Sequence, residues 1–172
     1  MSDRGRTDAQ PNVTADLGDL YREVILDHFR APRHKGKVEN PDIASTGLNP
    51  LCGDELQLTV AIRDGHVSGL GILPTGCSIS QASASMMAEA LAGQPVVRLE
   101  WLASQFKNLM LSPNGKAEKL PAELEELEAL EGVRKYPARV KCAVLAWNTL
   151  LEGLKEYRMK GYHPAVARHQ EE

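Results

Sequence analysis

Residues 55–72 set the strongest constraint on how this chain can fold. Leu56, Leu58, Val60 and Ile62 alternate with Glu55, Gln57 and Thr59, with Arg63 beyond, which is the two-residue period of a half-buried strand. Asp64-Gly65 supplies a tight turn, and Val67, Leu70 and Ile72 form the return. Gly69 and Gly71 on that return predict a bulge or a close approach to a helix. A hairpin with one apolar face has to be covered, because two strands alone are barely stable in water.

The cover comes mostly from later in the chain. The stretch after Cys77, SISQASASMMAEALAG, is rich in small residues and Met and ends at Gly93, a good helix-stopping residue. Pro95 suits the first turn of a next helix carrying Val96, Leu99, Leu102, Phe106 and Leu109. Residues 111–122 read as an exposed loop around Ser112-Pro113-Asn114-Gly115, and 123–131 as a short acidic helix. A last long helix begins at Pro137 with Val140, Val144, Trp147, Leu151 and Leu154 on one face. Ahead of the hairpin, Leu17, Leu20, Tyr21, Val24 and His28 recur at helical spacing up to Pro32, and 42–48 is strand-like. Strands first and helices after predict an α+β fold, a small three-stranded antiparallel sheet with helices packed on one face. Residues 1–16 are expected to be a disordered leader, 17–160 a single domain and 161–172 a flexible tail.

Bulk properties exclude several classes. No apolar run approaches the roughly 18 residues of a membrane span, and MSDRGRTDAQPNVTAD offers no signal-peptide core, so a cytoplasmic, membrane-free protein is expected. A net charge of −3 gives no general attraction to nucleic acid. Three cysteines, an odd number and widely spaced, argue against a disulfide framework and for metal or thiol chemistry.

Cys52, Asp54, Cys77 and Cys142 therefore call for explanation. Cys52 and Asp54 are two apart in an extended stretch, so their side chains can converge. Cys77 follows Pro74-Thr75-Gly76 at a helix start, where backbone N–H groups favour a thiolate. Cys142 has Arg139 three residues earlier and Lys141 beside it, cations that would also favour the thiolate. Three thiolates and a carboxylate can complete a tetrahedral zinc site of formal charge about −2, which Arg139 and Lys141 would partly offset. The same cysteines also fit a role as small buried hydrophobes. His28 reads as a core-edge histidine, Met86 and Met87 as core filler, and His163 and His169 as tail residues. The run Arg30, Arg33, His34, Lys35 and Lys37 reads as a solvated basic loop or as a docking surface for an acidic partner.

Four stretches, LYREVILDHFRAPRHKGK, NPLCGDELQL, GCSISQASASMM and GVRKYPARVKCAVLAW, resemble the SufU branch of the IscU/NifU N-terminal family from about Leu20 to Leu154. The resemblance implies iron–sulfur cluster assembly, with a metal site of Cys52, Asp54, Cys77 and Cys142 and a SufS-like cysteine desulfurase as partner. A SufBCD-like assembly machinery would lie downstream. The IscU branch has a histidine just before its third cysteine, where this chain has Lys141. It also carries an LPPVK motif for a dedicated chaperone, where this chain has Tyr136-Pro137-Ala138-Arg139-Val140-Lys141. Residues 111–124 resemble an insertion typical of SufU-like members. These departures weigh against an IscU-type cluster scaffold and that chaperone and favour zinc-dependent sulfur transfer, by a sulfurtransferase-like persulfide acceptor and not a free-standing enzyme.

In the mechanism the resemblance implies, a desulfurase histidine replaces one cysteine on zinc, and the freed thiolate accepts sulfur. Cys52 is the nominated acceptor because its loop moves more easily than a helix. Cys142 is the competing acceptor, the position suggested by IscU-type relatives. Two further classes fit the same residues: a scaffold holding iron or a transient 2Fe–2S cluster, and a purely structural zinc protein.

Overall fold

A computed structural model describes residues 13–113 and 119–161. The expected leader up to residue 12, the core of the 111–122 loop at 114–118, and the expected tail from 162 lie outside the described residues. The elements run α1 (Val13–Arg30), β1 (Ile43–Asn49), β2 (Asp54–Arg63), β3 (His66–Thr75), α2 (Ser78–Leu91), α3 (Val96–Leu111), a 3₁₀ segment (Ala122–Lys135) and α4 (Pro137–Met159). The first helix thus begins inside the stretch read as a leader. No helix among the described residues is long and apolar enough to cross a membrane.

The three strands form one antiparallel sheet in the order β1-β2-β3, with Leu58 of β2 opposite Ser45 and Ile72. Asp64 and Gly65 turn the hairpin with φ of 53° and 73°, the two positive values that suit the right-handed twist of the flanking strands. The bulge expected on the return strand is present: Ala61 pairs with Gly69 and Ile62 with Val67, leaving one extra residue in β3. The close approach is made by a loop and not by a helix. A Cβ on Gly71 would lie 2.4 Å from the Gly36 carbonyl oxygen.

That loop, 31–42, closes the sheet on its outer side. His34 and Gly36 exchange two 2.9 Å backbone bonds with Ile72 on the free edge of β3, which removes an exposed strand edge. It then crosses the outer face, where Val38 N–H donates to Thr59 Oγ1 (3.0 Å) and Ile62 N–H to Asp42 Oδ2 (2.7 Å).

Leu56, Leu58, Val60 and Ile72 turn to the inner face, where α2 packs on β3 and α4 on β1 and β2. All four are at most 2% exposed, so this face adds apolar burial worth roughly 25 cal/mol per Å². The strand β1 meets α4 almost backbone to backbone. A Cβ on Gly153 would stand 2.5 Å from Ile43 Cγ2, and one on Gly47 would stand 1.9 Å from Thr149 Oγ1. At the Asp64-Gly65 end, sheet and helices are joined by main chain: Val67 N–H donates to Gln94 O (2.9 Å), Gly93 N–H to Val67 O (3.0 Å) and Val96 N–H to Gly65 O (2.9 Å).

One expectation is refined and one corrected. Residues 123–131, read as a short acidic helix, belong to a longer helical segment, Ala122–Lys135, of 3₁₀ type. Leu124, Leu127, Leu130 and Val133 are its buried side, a spacing of three that matches the three-residue 3₁₀ turn and not the α period. Tyr21, placed by spacing on the buried face of α1, is 40% exposed and borders a groove with Met110, Leu111 and Lys141.

Candidate metal centre

The link from β1 to β2 is only four residues long. Asn49-Pro50-Leu51-Cys52 is a turn closed by Cys52 N–H donating to Asn49 O (3.2 Å), with Pro50 at the position where a fixed φ helps. Gly53, at φ 66°, then brings the chain back into β2. This leaves Cys52 half-buried at the tip, just after Leu48 and Leu51, which are 67% and 74% exposed. Asp54, the first residue of β2, is nearly fully buried.

Its carboxylate reaches the start of α2. Oδ1 accepts the Cys77 N–H at 2.8 Å, and Oδ2 lies 3.7 Å from the Cys77 sulfur. Cys77 is the N-cap of α2, and its sulfur accepts the Ser80 N–H at 3.5 Å, a role usually filled by a hydroxyl or carboxylate. The approach depends on Gly76. Its φ is 115°, and a Cβ there would sit 2.2 Å from Asp54 Oδ1 and 2.8 Å from Asp54 Cα.

Cys142 arrives from the opposite side, in the second turn of α4 and fully buried. Its sulfur lies 3.3 Å from Cys52 Sγ, 3.8 Å from Asn49 Nδ2 and 3.6 Å from Ala138 O. Ligand atoms of Cys52, Asp54 and Cys142 fall within 4.8 Å of one another, and Cys77 joins them through Asp54. On a tetrahedral zinc with Zn–S near 2.3 Å, two sulfurs stand about 3.8 Å apart, so small side-chain adjustments around this cluster would accommodate the ion. The donor set itself calls for a cation, since four acidic groups share one small volume.

The electrostatics differ from the expectation at one point. Arg139 and Lys141 were expected to favour a Cys142 thiolate, but the Cys142 thiol is pushed well up. Burial is the main cause, with contributions from Asp54, Cys52 and Cys77. Arg139 does face the cluster: Cys77 first, then Cys142, raise its guanidinium above the usual arginine range. Lys141 is exposed and lines the separate groove with Tyr21, Leu111 and Pro137.

Other nominated residues are accounted for differently. Arg33 of the basic loop is paired with Asp27 (2.6 Å) and Glu89 (3.6 Å). His28 is fully buried, with Nδ1 2.7 Å from Ser85 Oγ and Nε2 2.6 Å from Glu126 Oε1, and ties α1 to α2 and the 3₁₀ segment. Met86 and Met87 are core residues; His163 and His169 lie outside the described residues. Sequence reading passed over Asn49 and Gly76. The signals were an Asn-Pro turn ahead of Cys52 and a glycine directly ahead of Cys77.

Gly76→Ala tests the Asp54–Cys77 approach. An added Cβ must displace the Asp54 backbone as well as its carboxylate, and overpacking with a forced positive φ costs about 2–4 kcal/mol. The expected result is a melting temperature lower by roughly 5–10 °C together with weaker metal retention, read by calorimetry and elemental analysis. A variant that melts and holds metal like the parent would show that Gly76 is not required.

A family model described as the NifU-like N terminal domain matches residues 20–143. Among curated proteins, the zinc-dependent sulfurtransferase SufU of Bacillus subtilis (strain 168) is 41% identical over 143 residues, covering 83% of this chain and 95% of that protein. The iron–sulfur cluster assembly scaffold protein IscU of Streptococcus pyogenes serotype M1 is 37% identical, covering 81% and 85%. A crystal structure of a putative iron–sulfur cluster assembly scaffold protein for the SUF system from Fervidobacterium islandicum AW-1 superposes with a TM-score of 0.69 at 32% identity, covering 77% of this chain and 94% of that one.

Proposed function

The chain belongs to the NifU-like N-terminal domain family, and from that premise we propose that it is a zinc-dependent sulfur acceptor in iron–sulfur cluster assembly. The observation that carries this reading is the 3.3 Å meeting of a turn cysteine, Cys52, and a buried helix cysteine, Cys142, beside a buried Asp54. Cys52, Asp54, Cys77 and Cys142 would hold the ion. Zinc, when bound, keeps such thiols deprotonated at neutral pH.

Of the three cysteines, Cys52 has the freedom to act. It sits on a four-residue link, half-buried, whereas Cys77 caps one helix and Cys142 is packed inside another. Its thiolate would attack the outer sulfur of a persulfide on a cysteine desulfurase. The new S–S bond forms on Cys52, the partner's S–S bond breaks, and the partner's cysteine leaves as a thiolate. Sulfur moves without an external oxidant or reductant. A cavity of about 460 Å³ lined by Cys77, Ile79, Val133, Tyr136 and Arg139 opens beside the site and gives a partner segment room to approach. Arg139 would offset part of the negative charge gathered there. The sulfur would then pass to a SufBCD-like machinery.

The IscU scaffolds among the relatives favour a second reading, assembly of a 2Fe–2S cluster on the same residues. One experiment separates the two. Protein purified without added metal should carry about one zinc per chain, and incubation with a desulfurase and cysteine should add one sulfur to the Cys52 peptide. Sulfur on no cysteine peptide, with a stable cluster formed on anaerobic reconstitution, would replace the acceptor reading by the scaffold.

A further inference from the structure

The two sulfurs that meet at 3.3 Å are held in different ways, and the difference traces to one residue. Gly47 and Gly153 let β1 lie close on α4, so the register between strand and helix is set by Thr149 seated against Gly47 and Ile43 against Gly153. Two residues beyond Gly47, on the same face of the strand, Asn49 therefore meets the helix at Cys142. Asn49 is 7% exposed.

It contacts three of the four site residues through three different groups. Its Cα stands opposite Asp54 in the strand register. Its backbone carbonyl accepts the Cys52 N–H at 3.2 Å. Its side-chain amide nitrogen is directed at the Cys142 sulfur from 3.8 Å. Asparagine at the first position of such a turn commonly bonds the local backbone; here the amide is turned across to another element instead. An amide N–H is a weak partner for a thiol, but a much better one for a thiolate, where the bond is charge-assisted. A thiolate that receives an N–H is also stabilised where it is, and is less prone to leave or attack. Asn49 tethers Cys52 through its main chain only, so the amide that holds the Cys142 sulfur gives no such hold on the Cys52 sulfur.

We propose that Asn49 is a positioning residue that selects the sulfur acceptor: its side-chain amide retains the Cys142 sulfur in the site and so leaves Cys52 as the cysteine that departs. This rests on the sulfur-acceptor reading above. It makes Asn49 part of the reason why two touching cysteines take different roles.

Asn49→Asp and Asn49→Ala both remove the donor and keep the backbone carbonyl that anchors Cys52. Zinc-loaded parent and variants are incubated with a cysteine desulfurase and cysteine, alkylated, and digested, and the added sulfur is located by mass spectrometry. The parent should carry it on the Cys52 peptide. The variants should raise the Cys142-to-Cys52 ratio by about tenfold, the scale of a hydrogen bond to a charged group. A second readout does not depend on turnover. In cobalt-substituted protein, the thiolate-to-metal absorption bands should shift when the N–H is lost, whereas a merely structural role would lower the melting temperature and leave the bands in place. If one variant fails to fold, the other carries the test. Sulfur on Cys52 at an unchanged ratio, with unmoved bands, overturns the role of Asn49 and leaves the acceptor reading standing. Sulfur on Cys142 in the parent overturns the selection, and sulfur on neither peptide overturns both.

Discussion

Replacing Cys52 with serine should reduce sulfur uptake on the order of a hundredfold or more while the protein stays folded. Serine is a far poorer nucleophile toward a persulfide sulfur than a thiolate is. The structural cost is small because Cys52 is half-buried at a turn tip, bonded through its backbone N–H to Asn49 O. A substitution at such a position usually shifts stability by no more than about 1 kcal/mol. Asp54, Cys77 and Cys142 remain to hold a metal. The measurement is desulfurase turnover in the presence of each protein, with the added sulfur quantified on each cysteine peptide. A Cys52→Ser protein that stimulates the desulfurase within tenfold of the parent would remove Cys52 from the acceptor role.

Stripping the metal should lower the melting temperature by roughly 10 °C. A ligand present at a thousand times its dissociation constant stabilises the fold by about 4 kcal/mol, and a domain of this size shifts by about 2–4 °C per kcal/mol. The increment should shrink as pH falls, because bound thiols must give up protons that return in acid. The metal-free protein should behave in the opposite sense. Its Cys142 thiol is raised by burial, so the fold binds that proton more tightly than the unfolded chain does. That contribution is complete below the ordinary thiol range and is lost as pH rises through the higher folded value. Calorimetry with and without a chelator across a pH series checks both signs; a chelator-insensitive melting temperature would rule out a metal held by these residues.

What could be read from the sequence was whatever is local. The hairpin followed from two-residue alternation and Asp64-Gly65, and the start of α4 from Pro137. The helix read at 123–131 lies in a longer segment of 3₁₀ type, in which Leu124, Leu127, Leu130 and Val133 are spaced in threes. Acidic, leucine-rich composition suggested a helix, and the spacing carried the distinction. At the site, residue chemistry was enough to nominate the cysteines and Asp54. It was not enough to find Asn49 or Gly76, whose importance lies in contacts with Cys142 and Asp54 across the fold. The Cys142 thiolate was misjudged because neighbouring cations are visible in a sequence and burial is not. The ion pairs of Arg33 were not legible because Asp27 and Glu89 lie on two different helices.

The main-chain bonds at the Asp64-Gly65 end have a mechanical consequence. There, Val67, Gly93 and Val96 bind sheet to helices through backbone groups that every substitution except proline leaves in place. At the other end β3 runs into α2 through Gly76 and Cys77, whose N–H Asp54 accepts, while α4 meets the sheet end through side chains, Cys142 against Cys52. The β1–β2 end of the sheet and the start of α4 are thus joined by a detachable clasp, and the Asp64-Gly65 end by a permanent main-chain hinge. Opening that begins at the clasp would bare Leu56 and its inner-face neighbours first. Backbone amides near Leu56 should accordingly exchange with solvent faster once the clasp is released, and those around Val67 should hardly notice.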